Sequence, residues 1–294
     1  MFNNNMIITA ACGCNTGKRR RNNEDNFYFA GSYLDTDNNA LNRTLTVTRA
    51  LREGCCLAIF DGMGGEDYGE VAANTAAVGL SAALAQMKAS GGKRAEFLYN
   101  TAQELNNAVF EKTIELGAER VGCTMAALLF ERREVYLCSV GDSRAYRLRS
   151  GELKQLSVDD VVAGYKGGGK APLTQHIGMD PGSYIIEPHI GRGDLKPGDI
   201  YLICSDGLTD MLDEGEILAH LEDSADVKTC VERLIAEALK NGGRDNVTVI
   251  LARIEKGRPW WQAEDKPPVT DTEEEEPTTE KTEKPEINGG RADE

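Results

Sequence analysis

The sequence has few histidines, few aromatic residues and no long hydrophobic run. Its 294 residues include 3 histidines and 6% aromatic residues, and no Cys-x-x-Cys motif is repeated, so a zinc site is not indicated. No apolar run approaches the roughly 20 residues of a membrane span. Residues 1–12 lack a basic flank and a long apolar region. We therefore expect no secretory signal, no membrane partner and a cytoplasmic protein with reduced thiols.

Basic charge is also scarce, with 33 Lys and Arg residues against 48 Asp and Glu residues and a net charge of −15. We therefore expect no nucleic-acid partner, because phosphate backbones are bound by basic stripes. Residues 258–294 hold 12 acidic and 5 basic residues and few apolar ones, which predicts a disordered acidic tail. We expect a folded domain over residues 1–257, followed by this tail, in a monomeric protein.

Short apolar runs bounded by Gly, Asp or Asn predict strands, and apolar stripes with steps of three and four predict helices. Strands and helices do not alternate regularly, so a doubly wound parallel sheet fits poorly and antiparallel sheets with external helices fit better. The glycine-rich residues 158–182 predict a loop or flap. The predicted strands are 6–11, 26–33, 56–60, 124–130, 135–140, 145–148, 184–187, 200–204 and 247–254, and the predicted helices are 69–88, 94–116 and 226–241.

Acidic residues recur where the strand-like runs begin or end. For any single case, a turn or a helix cap is the plainer interpretation. Several carboxylates gathered at strand ends would repel one another unless a cation lies between them, and hard oxygen ligands favour Mg²⁺ or Mn²⁺ over zinc. The residues are Glu24 and Asp25, Asp61 beside Gly62, Asp142 after Gly141, Asp206 with Asp210 one helical turn later, and Asp245.

A basic run at residues 18–21 precedes Glu24 and Asp25 in this otherwise acidic chain. Such a run is most often a solvated face. Beside a metal pair held by carboxylates, however, Arg20 could grip the oxygens of a phosphate monoester that the metals do not bind. The run therefore favours phosphate-ester chemistry, with the solvated face as the alternative.

Two segments fit the Cys-x5-Arg spacing of cysteine-dependent phosphatases, residues 138–144 and residues 14–20. Cys138 falls in an apolar strand-like run, which raises the pKa of a thiol, and Asp142 in its loop would repel a phosphate. The loop after Cys14 is followed by no helix-forming run that could aim N–H groups at a phosphate. Both thiol-based alternatives are therefore weaker than the metal-based one.

Six motifs follow one another between residues 5 and 255. They are Gly17-x-x-Arg20-x-x-Asn23-Glu24-Asp25, residues 60–65 with Gly69, Glu70 and Ala72, Gly122-Cys123-Thr124, residues 140–146, residues 205–210, and Asp245-Asn246-Val247-Thr248. In type and order they resemble the metal-dependent serine/threonine protein phosphatases (the PPM, or type 2C, family) in their bacterial form. The resemblance implies an α+β fold, a four-layer α-β-β-α sandwich of two antiparallel sheets with a two-metal centre at one end.

The resemblance also assigns a role to each acid. A metal-activated hydroxide would attack the phosphate directly, without a phosphoenzyme, while Arg20 binds the phosphate and Asp25 orients the attacking water. Bound divalent metals lower the pKa of water toward about 7, so no side chain has to act as the nucleophile. The implied ligands of two Mn²⁺ or Mg²⁺ ions are Asp61 as the bridge, Glu24 and the Gly62 carbonyl on one ion, Asp206 and Asp245 on the other, and Asp142 and Asp210 at a third, weaker site.

The sequence departs from the family pattern beside the expected ligands. Met63 stands where eukaryotic members often have a histidine, Glu66 where bacterial members commonly have one, and Asp160 replaces the histidine of an Asp-His pair. The resemblance implies phosphoserine and phosphothreonine proteins as substrates and a Ser/Thr kinase as the opposing enzyme. The alternative is a catalytically weak regulator of the same fold that binds phosphoproteins.

Overall fold

The structure, a computed structural model, describes residues 6–63, 68–90 and 93–257. Glu66 and the predicted acidic tail lie outside the described residues. The described part of the chain contains twelve strands, and every pairing between them is antiparallel. In chain order they are β1 (Met6–Asn15), β2 (Asp25–Phe29), β3 (Leu45–Ala50), β4 (Cys55–Met63), β5 (Gly122–Cys123), β6 (Met125–Glu131), β7 (Glu134–Val140), β8 (Arg144–Arg149), β9 (Glu152–Gln155), β10 (His189–Asp194), β11 (Ile200–Cys204) and β12 (Val247–Lys256).

Five α-helices complete the described fold, together with one short 3₁₀ turn at Leu51–Glu53. Helix α4 begins with a capping box in which Asp213 and Glu216 bond reciprocally to each other's backbone N–H. No helix in the described part of the chain combines the length and the apolar character that a membrane span requires. The helices are α1 (Gly69–Ser90), α2 (Arg94–Glu115), α3 (Asp206–Thr209), α4 (Glu214–Asp223) and α5 (Val227–Lys240).

The strands form two sheets that stack face to face. The first has the order β3-β1-β12-β11-β8-β9, and the second has the order β10-β7-β6-β4-β2 with β5 paired to β4. One apolar cluster fills the space between the sheets, a second lies between the second sheet and α1 and α2, and a third lies between the first sheet and α3, α4 and α5. The α+β prediction of a four-layer α-β-β-α sandwich is confirmed.

Strand β4 shows why these sheets read as continuous apolar runs in the sequence. Successive side chains of a strand point to opposite faces, and both faces of this sheet are covered. Leu57 and Ile59 therefore face the core between the sheets, whereas Ala58 and Phe60 face α1 and α2. All four side chains have no exposed surface, so the run stays apolar until it ends at Asp61.

The strand predicted at residues 184–187 is wrong. These residues lie in an irregular stretch between β9 and β10, and Ile185 is 76% exposed. The apolar pair Ile185 and Ile186 attracts the prediction, but only Ile186 is buried, against the cluster under α2. The stretch from Ser157 to Glu187 contains isolated bridges but no helix and no paired strand.

Candidate metal and phosphate site

The acidic strand ends predicted from the sequence meet in one cleft of about 260 Å³ at one end of the two sheets. Residues from both sheets contribute, as expected if both sheets end at the same level. The cleft is lined by Arg20, Glu24, Asp61, Gly62, Met63, Thr124, Asp142, Lys170, Ala171, Leu173, Asp206 and Asp245.

Asp61 and Asp25 lie directly opposite each other on β4 and β2. The Asp61 N–H donates to the Thr124 hydroxyl over 3.0 Å, and the Asp61 carbonyl accepts from the Thr124 N–H over 2.9 Å. Asp25 is 2% exposed, and its Oδ2 accepts from the hydroxyls of Ser205 over 2.8 Å and Thr248 over 2.6 Å. Because Thr248 lies in β12 and Ser205 directly follows β11, both of the other sheet, Asp25 joins the two sheets beside the cleft.

Glycine is required at position 62 because three backbone segments meet there. The Gly62 N–H donates to the Glu24 carbonyl over 3.2 Å. A Cβ on residue 62 would collide with the carbonyl oxygens of Glu24 and Gly69, the first residue of α1. The close approach brings Glu24 and the Gly62 backbone to the same side of the cleft.

Asn246 fixes the segment that carries Arg20 and Glu24. Its Oδ1 accepts from the Glu24 N–H over 2.8 Å, and its Nδ2 donates to the carbonyls of Thr16 and Asn22 over 2.9 and 3.0 Å. The segment before β2 is thereby tied to the residue that precedes β12. Asn246 is 2% exposed, so these hydrogen bonds are shielded from water.

Arg20 bridges two of the acids implied as metal ligands. Its Nη2 lies 2.8 Å from Asp245 Oδ2, and its Nη1 lies 3.4 Å from Glu24 Oε2. The Arg20 side chain is 42% exposed at the rim of the cleft. Its guanidinium fork therefore faces both the carboxylates and the solvent from which a phosphate would arrive.

Asp206 and Asp210 bracket the short helix α3. Asp206 is the first residue of α3 and is 7% exposed, and the Asp210 N–H donates to the Asp206 carbonyl over 2.8 Å. Asp210 is exposed to solvent and does not line the cleft. Its carboxylate is nevertheless close enough to Lys170 to raise the pKa of that lysine.

Asp142 is held by the turn between β7 and β8. Gly141 occupies the left-handed region at φ +93°, and its N–H donates to Asp160 Oδ2 over 2.8 Å. The other oxygen of Asp160 lies 2.8 Å from His189 Nε2. The residue that departs from the family's Asp-His pair therefore still supports the turn that carries Asp142.

Lys170 is a cation in the cleft that the sequence analysis missed. Its Nζ lies 2.7 Å from Asp142 Oδ2 and also contacts Asp206 Oδ2. Partial burial lowers the pKa of Lys170, but the carboxylates of Asp142 and Asp61 outweigh that effect and raise it overall. The ammonium is therefore charged and bridges two acids from different strand ends. The signal in the sequence was a lone lysine at the end of a glycine run, which does not say where its side chain lies.

The acids of the cleft show the cost of gathering like charges. Loss of solvent raises the pKa of Asp61 well above its ordinary value, and the adjacent Asp25 carboxylate adds to the rise. Burial raises the pKa of Asp25 to about 6, against the hydrogen bonds that lower it. Partial burial also raises the pKa of Glu24 and Asp210. Positive charge beyond Arg20 and Lys170 would relieve this strain.

The donor set fits a hard divalent cation, although its side chains are turned toward the two basic residues. Carboxylate and carbonyl oxygens are the ligands that Mg²⁺ and Mn²⁺ prefer. Within the described ranges, no three His, Cys, Asp or Glu side chains already surround one point as a ready-made metal group. Arg20 holds Glu24 and Asp245, and Lys170 holds Asp142 and Asp206, so each cation stands in for part of the charge of a metal.

The thiols of both Cys-x5-Arg segments are unsuited to nucleophilic attack. Cys138 has no exposed surface and its Sγ points to the Leu98 carbonyl at 3.8 Å, while burial raises its pKa to about 12. Cys14 is 3% exposed, and burial together with the Asp25 carboxylate raises its pKa to about 12. Neither thiol lines the cleft, so both thiol-based alternatives fail.

The polar residues that position the acids are also absent from the predicted site residues. Ser205, Thr248 and Asn246 stand inside the quoted motifs, but their bonds to Asp25 and Glu24 depend on the packing of one sheet on the other. Thr124 was likewise quoted without its contact to Asp61. The available signal was that each is a small polar residue within two positions of a strand end.

Comparison with protein-family models gives a match to the model described as Protein phosphatase 2C over residues 43–244. The serine/threonine protein phosphatase PstP of Mycobacterium tuberculosis is 33% identical over 261 residues, which cover 85% of this chain and 45% of that protein. The serine/threonine phosphatase stp of Listeria monocytogenes is 28% identical, covering 82% of this chain and 95% of that protein. The chain thus spans less than half the length of its mycobacterial relatives.

Solved structures show the same fold. The catalytic domain of PstP in complex with two manganese ions superposes with a TM-score of 0.66 at 30% identity, covering 85% of this chain and 99% of that one. A bacterial serine phosphatase superposes with a TM-score of 0.70 at 25% identity and similar coverage.

Proposed function

Because this chain belongs to the protein phosphatase 2C family, we propose that it is a metal-dependent phosphatase that hydrolyses phosphoserine and phosphothreonine in proteins. The observation that carries the proposal is the convergence of Glu24, Asp61, Asp206 and Asp245 with Arg20 in one cleft. The manganese-bound structural relative supports Mn²⁺ as an activating ion, with Mg²⁺ as the alternative.

In the proposed mechanism the metal pair, when bound, supplies Lewis acidity and lowers the pKa of a coordinated water. Asp61, Glu24, the Gly62 carbonyl, Asp206 and Asp245 are the groups that would hold the pair. Asp142 and Asp210 are the residues available for a further ion.

The protein's own residues would bind and orient the phosphate. Arg20 would exchange its contacts with Glu24 and Asp245 for the phosphate oxygens, since metal ions would then neutralise those acids. Asp25, held by Ser205 and Thr248, would accept a hydrogen bond from the attacking water and fix its direction. Met63 lines the cleft but can neither donate nor accept a proton, so the leaving oxygen would take its proton from water or from another group.

We further propose that the protein acts on phosphoproteins in the cytoplasm against a Ser/Thr kinase. All eight cysteines are buried free thiols, which supports a reducing compartment. The kinase is inferred from the family and from no feature of this cleft.

The test is hydrolysis of a phosphothreonine peptide by the full chain after removal of bound metal. We expect no turnover without metal, turnover with Mn²⁺, loss with a chelator, and a much slower reaction with the matched phosphotyrosine peptide. Asp61→Asn is the control that should remain inactive at any Mn²⁺ concentration. Tight binding of the phosphopeptide without turnover would instead favour the regulator, and Mn²⁺-independent turnover would contradict the metal mechanism.

A further inference from the structure

The flap that carries Lys170 is bonded at its base to the turn that carries Asp142. The Asp160 N–H donates to the Gly141 carbonyl over 3.0 Å, and Asp160 Oδ2 accepts from the Gly141 N–H over 2.8 Å. Val161 and Leu173 form a bridge that closes the neck of the flap, defined here as residues 161–173. The ion pair from Lys170 to Asp142 is therefore a second connection between the flap and the turn, in addition to the hydrogen bonds at the base of the flap.

Lys170 occupies the space that a divalent ion between Asp142 and Asp206 would need. Its ammonium contacts one oxygen, Oδ2, of each carboxylate. Metal–oxygen distances for Mg²⁺ are about 2.1 Å, so an ion bound by those same oxygens would lie almost on the lysine nitrogen. Two cations at that separation repel strongly, so the lysine and the ion exclude each other. The contact uses Oδ2 of Asp206, and its Oδ1 is the oxygen that would serve another ion of the pair.

We propose that Lys170 is an internal cation that competes with a divalent ion for Asp142 and Asp206, so that docking of the flap limits the number of ions the cleft holds. The inference rests on the proposed function in that it takes the cleft to bind divalent ions. While Lys170 is docked, the cleft holds the ion pair near Asp61. An ion reaches Asp142 only when the flap releases its lysine.

The first experiment is a Mn²⁺ titration of metal-free protein by calorimetry, with free Mn²⁺ counted by electron paramagnetic resonance. Lys170→Met keeps an unbranched side chain of nearly the same length and removes its charge. Lys166→Met is the matched control, because Lys166 is an exposed lysine of the same flap for which no ion pair is found in the described structure. We expect Lys170→Met to tighten the weakest class of Mn²⁺ sites about tenfold, and Lys166→Met to follow the wild type. Identical titrations of Lys170→Met and the wild type would overturn the proposal.

The main comparison of the second experiment uses the wild-type protein alone. Amide hydrogen exchange of residues 162–172 in the wild type is compared with and without saturating Mn²⁺. We expect faster exchange with Mn²⁺, because the ion displaces Lys170, and no response to Mn²⁺ in Lys170→Met. A wild-type flap that ignores Mn²⁺ would contradict the competition. Both readouts are independent of turnover, so a chain that passes them and hydrolyses no phosphopeptide would refute the proposed function alone.

Discussion

The acids and the cations of the cleft differ in what holds them in place. Asp61 lies within β4, Asp206 opens α3 two residues after the end of β11, and Asp245 stands two residues before β12. Arg20 and Lys170 instead extend from irregular segments and reach the cleft through long side chains. The backbone of two buried sheets therefore fixes the acids, whereas ion pairs place the side chains of the cations. We infer that the acids set the geometry of the site and that the cations can adjust to what binds there.

The strongest test of this comparison removes one strand-end charge. Asp61→Asn and Asp206→Asn keep the size of each side chain but remove a carboxylate from the cleft. We expect kcat to fall by about 10³-fold or more, at least as much as the loss of one preorganised charge-stabilising group in other enzymes. Steady-state kinetics with a phosphothreonine peptide measures the effect.

Glu152→Gln is the matched control, because Glu152 is an exposed acid at the start of β9. It should keep wild-type kcat and KM. All three variants should keep the wild-type unfolding midpoint within a few degrees. Each aspartate-to-asparagine change removes one negative charge from a cluster of carboxylates and therefore adds no repulsion. Equal activity of Asp61→Asn and the wild type would show that the strand-end acids do not form the reaction centre.

Arg20→Ala tests the cation side of the comparison. It removes the proposed phosphate contact while leaving every acid in place. We expect KM for the phosphopeptide to rise about 10- to 100-fold, the range for a charge-assisted bidentate contact, with a smaller change in kcat.

Arg21→Ala provides the control for Arg20→Ala, since Arg21 is an exposed neighbour in the same basic run. It should leave both parameters unchanged. An equal rise of KM in the two variants would mean that the run acts as a diffuse positive surface, the alternative that the sequence left open.

The same comparison explains which parts could be predicted from the sequence. Strand β11 matches its prediction at 200–204, because both faces are buried and every residue from Ile200 to Cys204 is apolar or aromatic. The strands missed entirely include β3, β9 and β10, each at the edge of a sheet. These three edge strands are polar and partly exposed, so pairing with a neighbour, rather than composition, makes them strands.

The site divides in the same way. The acids could be predicted because a strand followed by Asp and Gly is a local pattern with a local cause. Lys170 could not, since its contact with Asp142 spans the flap and depends on how residues 160–174 fold back on the Gly141 turn. The glycine-rich pattern predicts a flap at residues 158–182, but tertiary contacts determine which of its side chains reaches the cleft.

Thr248→Val tests how much the hydrogen bond from Thr248 to Asp25 contributes to stability. The variant keeps the shape of the side chain and removes one of the two hydroxyls that donate to Asp25. We expect a loss of about 1.5–3 kcal/mol in the free energy of unfolding, as for other hydrogen bonds to charged groups. The pKa of Asp25 should rise further, because this hydrogen bond lowers it. Urea denaturation measures the stability.

Thr48→Val, on the exposed edge strand β3, is the control for Thr248→Val. Its hydroxyl makes a single exposed contact of 3.4 Å with Thr9, so we expect a change within about 0.5 kcal/mol. Similar losses in the two variants would show that the Asp25 hydrogen bonds add nothing specific to the joint between the sheets.

The smallest effect is expected for the buried thiols of the two Cys-x5-Arg segments. Cys14 lies in β1 and Cys138 in β7, both buried, and their pKa values are raised to about 12 because burial disfavours the thiolate. At neutral pH the thiolate fraction is therefore very small, and alkylation requires the thiolate. Treatment of the folded protein with iodoacetamide should leave kcat unchanged, with mass spectrometry reporting Cys14 and Cys138 unmodified. If activity fell in proportion to modification of either residue, a cysteine would be the nucleophile. The clustered acids would then have only a structural role.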